Sequence, residues 1–338
     1  MKRFGAVMLA TAAIGLAACQ DAVRPVDDGP ILASAGGNQI DVVVVLNDGF
    51  APGGHGANRA LAAEVALGLG IRARHAYGTA LFGFSAAVPE GRLRALGRDP
   101  RVKYVQRDRS FAVPVPRAQA PPWCADRPDH PACGGGGGGG GQTVPWGVAR
   151  IGADVNANEG TGIHVYVIDT GIDSDHPDLR ANIGNGFAAT ACKGSRRICK
   201  EAWDDDHGHG THVSGTIGAI DNDRDVIGVA AEVTLHAVKV CDKSGFCSGS
   251  DIIAGIDWAA NETTMLGAAT AANMSLGGGG SKTATCNDDG TFTGADAEHE
   301  ALCNARHVGV VFAVAAGNDG ADAQNTTPAA YDDAVMAV

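Results

Sequence analysis

Several patterns are scarce or missing in this chain of 338 residues. Beyond the first twenty residues no apolar run is long enough to cross a bilayer, so the body carries no transmembrane-helix pattern. No two cysteines stand in CxxC spacing, the usual thiol signature of a structural zinc site. No HExxH occurs either, although histidines cluster at 207–212. Positive charge is thin in the back of the chain: residues 142–338 hold 11 Lys+Arg against 27 Asp+Glu, and the whole chain has a net charge of -12. An acidic main body argues against nucleic acid as a partner. Residues 1–141 lean the other way, with 15 Lys+Arg against 11 Asp+Glu. A basic front and an acidic back favour docking between the two, to the extent that salt leaves it unscreened.

The chain has 45% hydrophobic and 19% charged residues, which suits a globular protein with room for about two domains. Its start reads as an export signal: Lys2 and Arg3, then the apolar "FGAVMLATAAIGLAA", ending in "LAAC". "LAAC" looks like a bacterial lipobox, which makes Cys19 the expected lipidation site and any membrane contact a lipid anchor. The plainer alternative is an ordinary signal peptide cut near Ala18. Either way the protein is expected outside the cytoplasm, as a cell-envelope lipoprotein or an extracellular protein. The other eight cysteines fall in close pairs, 124/133, 192/199, 241/247 and 286/303, and neighbour pairing is the simplest expectation in an oxidising compartment.

Composition divides the chain into a signal at 1–19, a polar tether at 20–39, a small domain at 40–113, a linker at 114–141 and a large domain at 142–338. In the small domain "IDVVVVL" reads as a buried strand and "GANRALAAEVALGLG" as a helix. Two strands follow around Gly78 and Gly83, then the short helix "EGRLRALGRDP" and one last strand, "VKYVQRDRSFAV". That β-α-β-β-α-β order predicts an α+β ferredoxin-like fold. The linker holds six prolines and the Gly run 134–141, so it stays extended and open to proteolysis. From Gln142 onward strands and helices alternate, which predicts an α/β domain with a parallel sheet and its sites at the carboxyl ends of the strands. The spacing predicts a helix from His209 to about Ile220. Nothing points to an oligomer, so a monomer is expected.

Three motifs fall at such strand ends. "VYVIDTGIDSDHPDL" finishes a hydrophobic strand on Asp169, an acid that needs a partner if buried. "HGHGTHVSGT" puts His209 at a helix start, where the helix dipole favours the neutral imidazole and an ion-pairing Asp would help a base. "AVAAGNDG" ends a strand at Asn318, whose amide can donate to an oxyanion.

Asp, His and Asn in these settings resemble the subtilisin-like serine peptidases, the subtilase family. The matching motifs run in order over nearly all of 142–338: "VPWGVARI", "YVIDTGID.DHPDL", "HGHGTHVSGTI", "NMSLGG" and "AAGN". The fold implied is an α/β subtilisin-like catalytic domain. The resemblance implies Asp169 as the orienting acid, His209 as the general base and Asn318 as the oxyanion donor. His212 matches a structural position, and His207 is expected to be a solvated loop residue. Ser275, Leu276 and Gly277 would form one edge of a peptide cleft and Gly245 the other, both pairing with extended polypeptide substrates. Small residues there imply broad cleavage after apolar or aromatic residues. The same resemblance implies a calcium site built from the side chains of Gln142, Asp178 and Asn222 and the carbonyls of Ile220, Arg224 and Val226, all hard oxygen donors.

Residues 40–113 resemble the family's inhibitor prodomain, through "FSAAVPEGRLRALGRDPRVKYVQRDRSF". The implied protein is a proenzyme whose prodomain is its own partner, with maturation in the linker upstream of Gln142. One part is missing. The family's nucleophile sits in a Gly-Thr-Ser-Met-Ala motif, and none occurs in this sequence. The expectation is therefore a catalytic domain cut short before the catalytic serine, and a chain that does not hydrolyse peptides as given. The alternative is a non-catalytic peptide-binding pseudopeptidase, or a peptidase inhibitor acting in trans.

Overall fold

The computed structural model describes residues 26–27, 39–114 and 141–338. The expected signal with Cys19, the Cys124/Cys133 pair and all but a few residues of the tether and linker lie outside the described residues.

The front of the chain forms β1 (Gln39–Leu46), α1 (His55–Gly68), β2 (His75–Tyr77), β3 (Gly83–Pro89), α2 (Leu93–Leu96) and β4 (Val102–Arg107). The strands pair antiparallel in the order β4-β1-β3-β2, and Val26–Asp27 adds a short parallel edge beside β4. This is the expected α+β ferredoxin-like arrangement. The Val run of β1 is explained by cover on both faces. Val42, Val44 and Leu46 pack with Ala62, Val65 and Leu93 of the sheet's own helices. Val43 and Val45 point the other way, into the core of the large domain.

The single last strand expected at 102–113 is two strands. β4 ends at Arg107, and β5 (Ser110–Ala112) pairs in a different sheet, antiparallel to Phe246–Ser248. The break is made by two charged residues that reach across to the large domain. Asp108 accepts from the Ser250 N–H at 2.8 Å and the Ser250 hydroxyl at 2.5 Å. Arg109 lies 2.6 Å from Asp296. A period-2 pattern carries on through such a kink and gives no sign of it.

The large domain contains α3 (Trp146–Arg150), β6 (His164–Asp169), β7 (Phe187–Ala188), α4 (His209–Gly218), β8 (Thr234–Lys239), β9 (Phe246–Ser248), α5 (Gly249–Leu266), β10 (Thr270–Met274), α6 (Ala297–His307), β11 (Val310–Val314) and β12 (Met336–Ala337). Six of the strands form one parallel sheet in the order β12-β11-β10-β6-β8-β7. α4 stops at Gly218, two residues short of expectation. Ala219 turns extended at ψ 137°, and the Ile220 N–H goes to the Asp178 carbonyl at 3.0 Å. Three disulfides follow neighbour pairing, Cys192–Cys199, Cys241–Cys247 and Cys286–Cys303. No helix among the described residues is long and apolar enough to cross a membrane.

Candidate active site

Asp169 is the last residue of β6 and is fully buried. His209 is the first residue of α4, entered through Gly208 at φ 104°. The two meet at the carboxyl edge of the sheet. His209 Nδ1 lies 2.8 Å from Asp169 Oδ1 and 2.9 Å from Oδ2. Gly210 makes the approach possible, because a Cβ there would sit 2.2 Å from the Gly171 carbonyl and 3.2 Å from the Asp169 carboxylate. Burial pulls the His209 pKa down, but the hydrogen bond and charge of Asp169, joined by Asp205, outweigh it and the net shift is upward. With Nδ1 engaged by the acid, Nε2 is the nitrogen left to exchange a proton; among the described residues it has no hydrogen-bond partner.

Three groups outside the expected site hold this pair. The Asp205 carboxylate receives the N–H groups of His207, Gly208 and Thr211 and the Thr211 hydroxyl, at 2.6 to 3.0 Å. It caps the helix that carries His209. Burial alone would raise the Asp205 pKa, but these bonds bring it below the ordinary value. Thr170 donates its hydroxyl to Asp205 and accepts the Gly210 N–H at 2.9 Å. Lys239, at the end of β8 and fully buried, donates to the Thr170 carbonyl at 2.6 Å, the Cys241 carbonyl at 3.0 Å and Asp206 at 2.6 Å. A lone Lys in the apolar run "VTLHAVKV" was the available signal for it, since a buried ammonium needs such partners.

The cleft beside His209 already contains extended chain. β5 lies between β9 and Gly277. Ala112 and Gly277 exchange both N–H···O bonds at 3.2 Å, and the Val113 N–H donates to the Gly245 carbonyl at 3.0 Å. Gly245 has φ 78°, and a Cβ there would meet Val113 Cγ2 at 2.9 Å and His207 Nε2 at 3.1 Å. His207 sits in the loop before α4, as expected, and is packed on one side rather than fully solvated. It is half-buried against the cleft, with its ring 6.4 Å from that of His209. Nearby, Leu276 is buried and the Ser275 hydroxyl donates to Asn273 Oδ1 at 3.0 Å.

Residues 160–338 match the Subtilase family. The chain belongs to the subtilase family. It is 38% identical over 78% of its length to an extracellular serine proteinase of Thermus sp. (strain Rt41A), covering 53% of that protein. It is 36% identical over 75% of its length to the alkaline serine protease ver112 of Corniculantispora psalliotae, covering 56% of it. It is 37% identical over 57% of its length to subtilisin DY of Bacillus licheniformis, covering 63% of it. The chain thus spans little more than half the length of the first two.

The remaining expected residues of this subtilase fall in two places. Asn318 is exposed on the same carboxyl edge of the sheet as Asp169, but β11 ends at Val314, four residues before the expected strand end; no hydrogen bond joins Asn318 to His209 among the described residues. Gln142, Asp178, Ile220, Asn222 and Val226 gather in one cluster away from the cleft. Gln142 Nε2 donates to the carbonyls of Ile220 at 2.7 Å and Val226 at 3.0 Å. Asn222 Nδ2 donates to Asp178 Oδ1 at 2.9 Å, and the Val226 N–H reaches Asp178 Oδ2 at 3.3 Å. Arg224 enters through its N–H, 2.8 Å from Asn222 Oδ1.

Proposed function

We propose that this subtilase is a serine endopeptidase made as a proenzyme, with residues 40–113 as the inhibitor prodomain and 142–338 as catalytic domain. The observation that carries the reading is the carboxylate of Asp169 held against His209 Nδ1, beside a cleft that binds extended chain through backbone pairs. In this reading His209 Nε2 takes the proton of a serine hydroxyl as it attacks the peptide carbonyl, then gives it to the leaving amine. Asp169 orients the ring and stabilises its protonated form. Asn318 donates to the oxyanion. Gly245, Ser275, Leu276 and Gly277 line the substrate strand. These 338 residues contain no Gly-Thr-Ser-Met-Ala motif, so in this reading they do not supply the serine. The test compares the 338-residue chain with one extended by its own reading frame, on a fluorogenic peptide. The expected result is no turnover from the first, and from the second a turnover that His209→Ala abolishes. Turnover by the 338-residue chain would overturn the assignment of the nucleophile, and none from the extended chain would overturn the endopeptidase.

The cluster around Asp178 fits calcium. The side-chain amides of Gln142 and Asn222 donate there to two carbonyls and a carboxylate. Turning each amide about its last torsion would exchange N for O and aim further oxygen donors at the same centre. With calcium bound, Gln142, Asp178 and Asn222 would hold it together with the carbonyls of Ile220, Arg224 and Val226. Its contribution would be to stability, by tying the segment before α3 to the loop after α4. The same reading makes the protein exported, with Cys19 as the anchor residue. One observation favours a second role: β5 fills the cleft as an inhibitor strand would, so residues 40–113 would also bind other subtilases in trans.

A further inference from the structure

The seam between the front sheet and helices α5 and α6 brings together many ionisable groups. Most are matched. His75 Nε2 lies 2.6 Å from Asp251, and Lys103 Nζ 2.6 Å from Glu300, which also takes the Tyr104 hydroxyl at 2.7 Å. Asp257 receives the N–H groups of Gly78, Thr79 and Ala80 at 3.1, 2.7 and 2.8 Å, with His55 3.7 Å away.

One corner is short of positive charge. Arg109 sits 2.6 Å from Asp296 and 3.3 Å from Glu298. Asp108 lines the same cavity of about 10 Å³ as Glu298, with Gln106 and Arg107 on its wall. Gln106 Oε1 accepts the Ala297 N–H, and Arg107 pairs with Glu90. The Tyr331 hydroxyl lies 2.9 Å from Asp296 and 3.5 Å from Glu298. The next residue along α6, His299, turns to Asp333 at 2.6 Å, and Lys282 pairs with that same acid at 3.5 Å. So one guanidinium serves Asp296 and Glu298, with Asp108 close by. Glu298 is 1% exposed, and its Oε1 is buried with no hydrogen-bond partner among the described residues. An ionised carboxylate in that setting is costly, and a proton removes the cost.

We propose that Glu298 carries a proton while the front sheet is docked and loses it when the sheet leaves, so that pH sets how firmly residues 40–113 close the cleft. This rests on the proenzyme reading above and adds its regulation. Burial drives the group upward against the pull of Arg109, from an ordinary 4.5 to about 7. Burial likewise raises Asp108 to about 6, against its bonds to Ser250. Asp257 and Glu300 move upward too, chiefly through burial. His55 is lowered by burial and opposes them. The carboxylates are raised in the docked state, so docking takes up protons. The stabilisation is complete below the undocked value near 4.5 and is lost as pH rises through about 7. One linked proton changes the docking constant about tenfold per pH unit inside that window.

The experiment follows hydrogen exchange at the Ala112, Val113 and Gly277 amides of the full 338-residue chain from about pH 5 to about pH 9, corrected for the chemical exchange rate. The expected result is an opening constant that climbs about tenfold per unit between about pH 6 and pH 7, more steeply below that where Asp108 also titrates, and then levels. Glu298→Gln, which mimics the protonated acid, should keep the protection and take one proton's worth, about tenfold per unit, out of the climb between about pH 6 and pH 7. An unchanged slope in Glu298→Gln, or a flat wild-type profile, overturns the proposal. Should the variant fail to fold, the infrared band of a protonated carboxyl in the wild-type chain decides. It should persist near pH 7, above the value of about 6 to which Asp108 is raised, and be lost near pH 9, and its absence near pH 7 overturns the proposal. Neither readout needs peptide turnover, so failure here leaves the endopeptidase reading to its own test.

Discussion

Asp169 and His209 depend on neighbours that take no part in the proposed proton transfer. Because Asp169 lifts the His209 pKa, the pair contributes stability that is complete below the ordinary value near 6.5 and is lost as pH rises through the folded value. Asp169→Asn should move the His209 titration down, as read by NMR of the ring protons. In an active extended chain it should lower kcat on the order of 10⁴-fold, with the fold intact by circular dichroism. A His209 pKa unmoved by Asp169→Asn would remove Asp169 from its orienting role. Lys239→Met tests the support beneath. It leaves the Asp206 carboxylate, whose side chain is 5% exposed, without its cation. The expected loss is about 3–5 kcal/mol by denaturant titration. Both chemical residues were legible from their motifs. Asp205 and Lys239 were not read as part of the site: Asp205 is one of three adjacent acids and only the fold shows which one turns back on the start of α4, while Lys239 acts through Thr170 and Asp206, 69 and 33 residues away.

At the scale of elements, α5 shows how local and distant signals combine. Its N-terminus is capped by the Ser248 hydroxyl, which takes the Asp251 N–H at 3.1 Å, and by Asp108 from the front sheet. Its C-terminus ends on Gly267 at φ 64°, where a side chain is strained. Gly267→Ala should cost about 1 kcal/mol, seen as a fall in the denaturant midpoint with an unchanged slope. No loss would mean that the left-handed cap is not a constraint. The sequence reads as a helix over "SDIIAGIDWAAN", residues 250–261, and the observed helix runs five residues further to its Gly267 cap. The second cap was hidden, since Asp108 stands 142 residues from Ser250. The same pair explains why one expected strand is two: the residues that break it are bonded to another domain.

For the whole molecule, the charge asymmetry read from composition reappears at the seam, where Lys103, Arg109 and His75 of the front meet acids of α5 and α6. The proposed calcium site belongs to this scale as well, because the cluster at Asp178 ties Gln142, at the start of the described large domain, to the loop after α4. Chelation with EDTA should lower the thermal midpoint, and added calcium should restore it. A ligand at about 100 times its Kd contributes about 2.7 kcal/mol. Asp178→Asn should erase the difference between chelated and calcium-loaded chains. An EDTA-insensitive midpoint would sink the calcium assignment.

The alternation of strands and helices, and Asp169 at a strand end with His209 at a helix start, follow from the sequence alone, because hydrophobic period, turn residues and short motifs act over neighbouring positions. Tertiary structure alone decided which chain lies in the cleft, that His207 packs against Gly245, and that Glu298 is buried with too few cations. Those features are sums over groups far apart in sequence, and burial, which sets their energies, exists only once the chain has closed on itself.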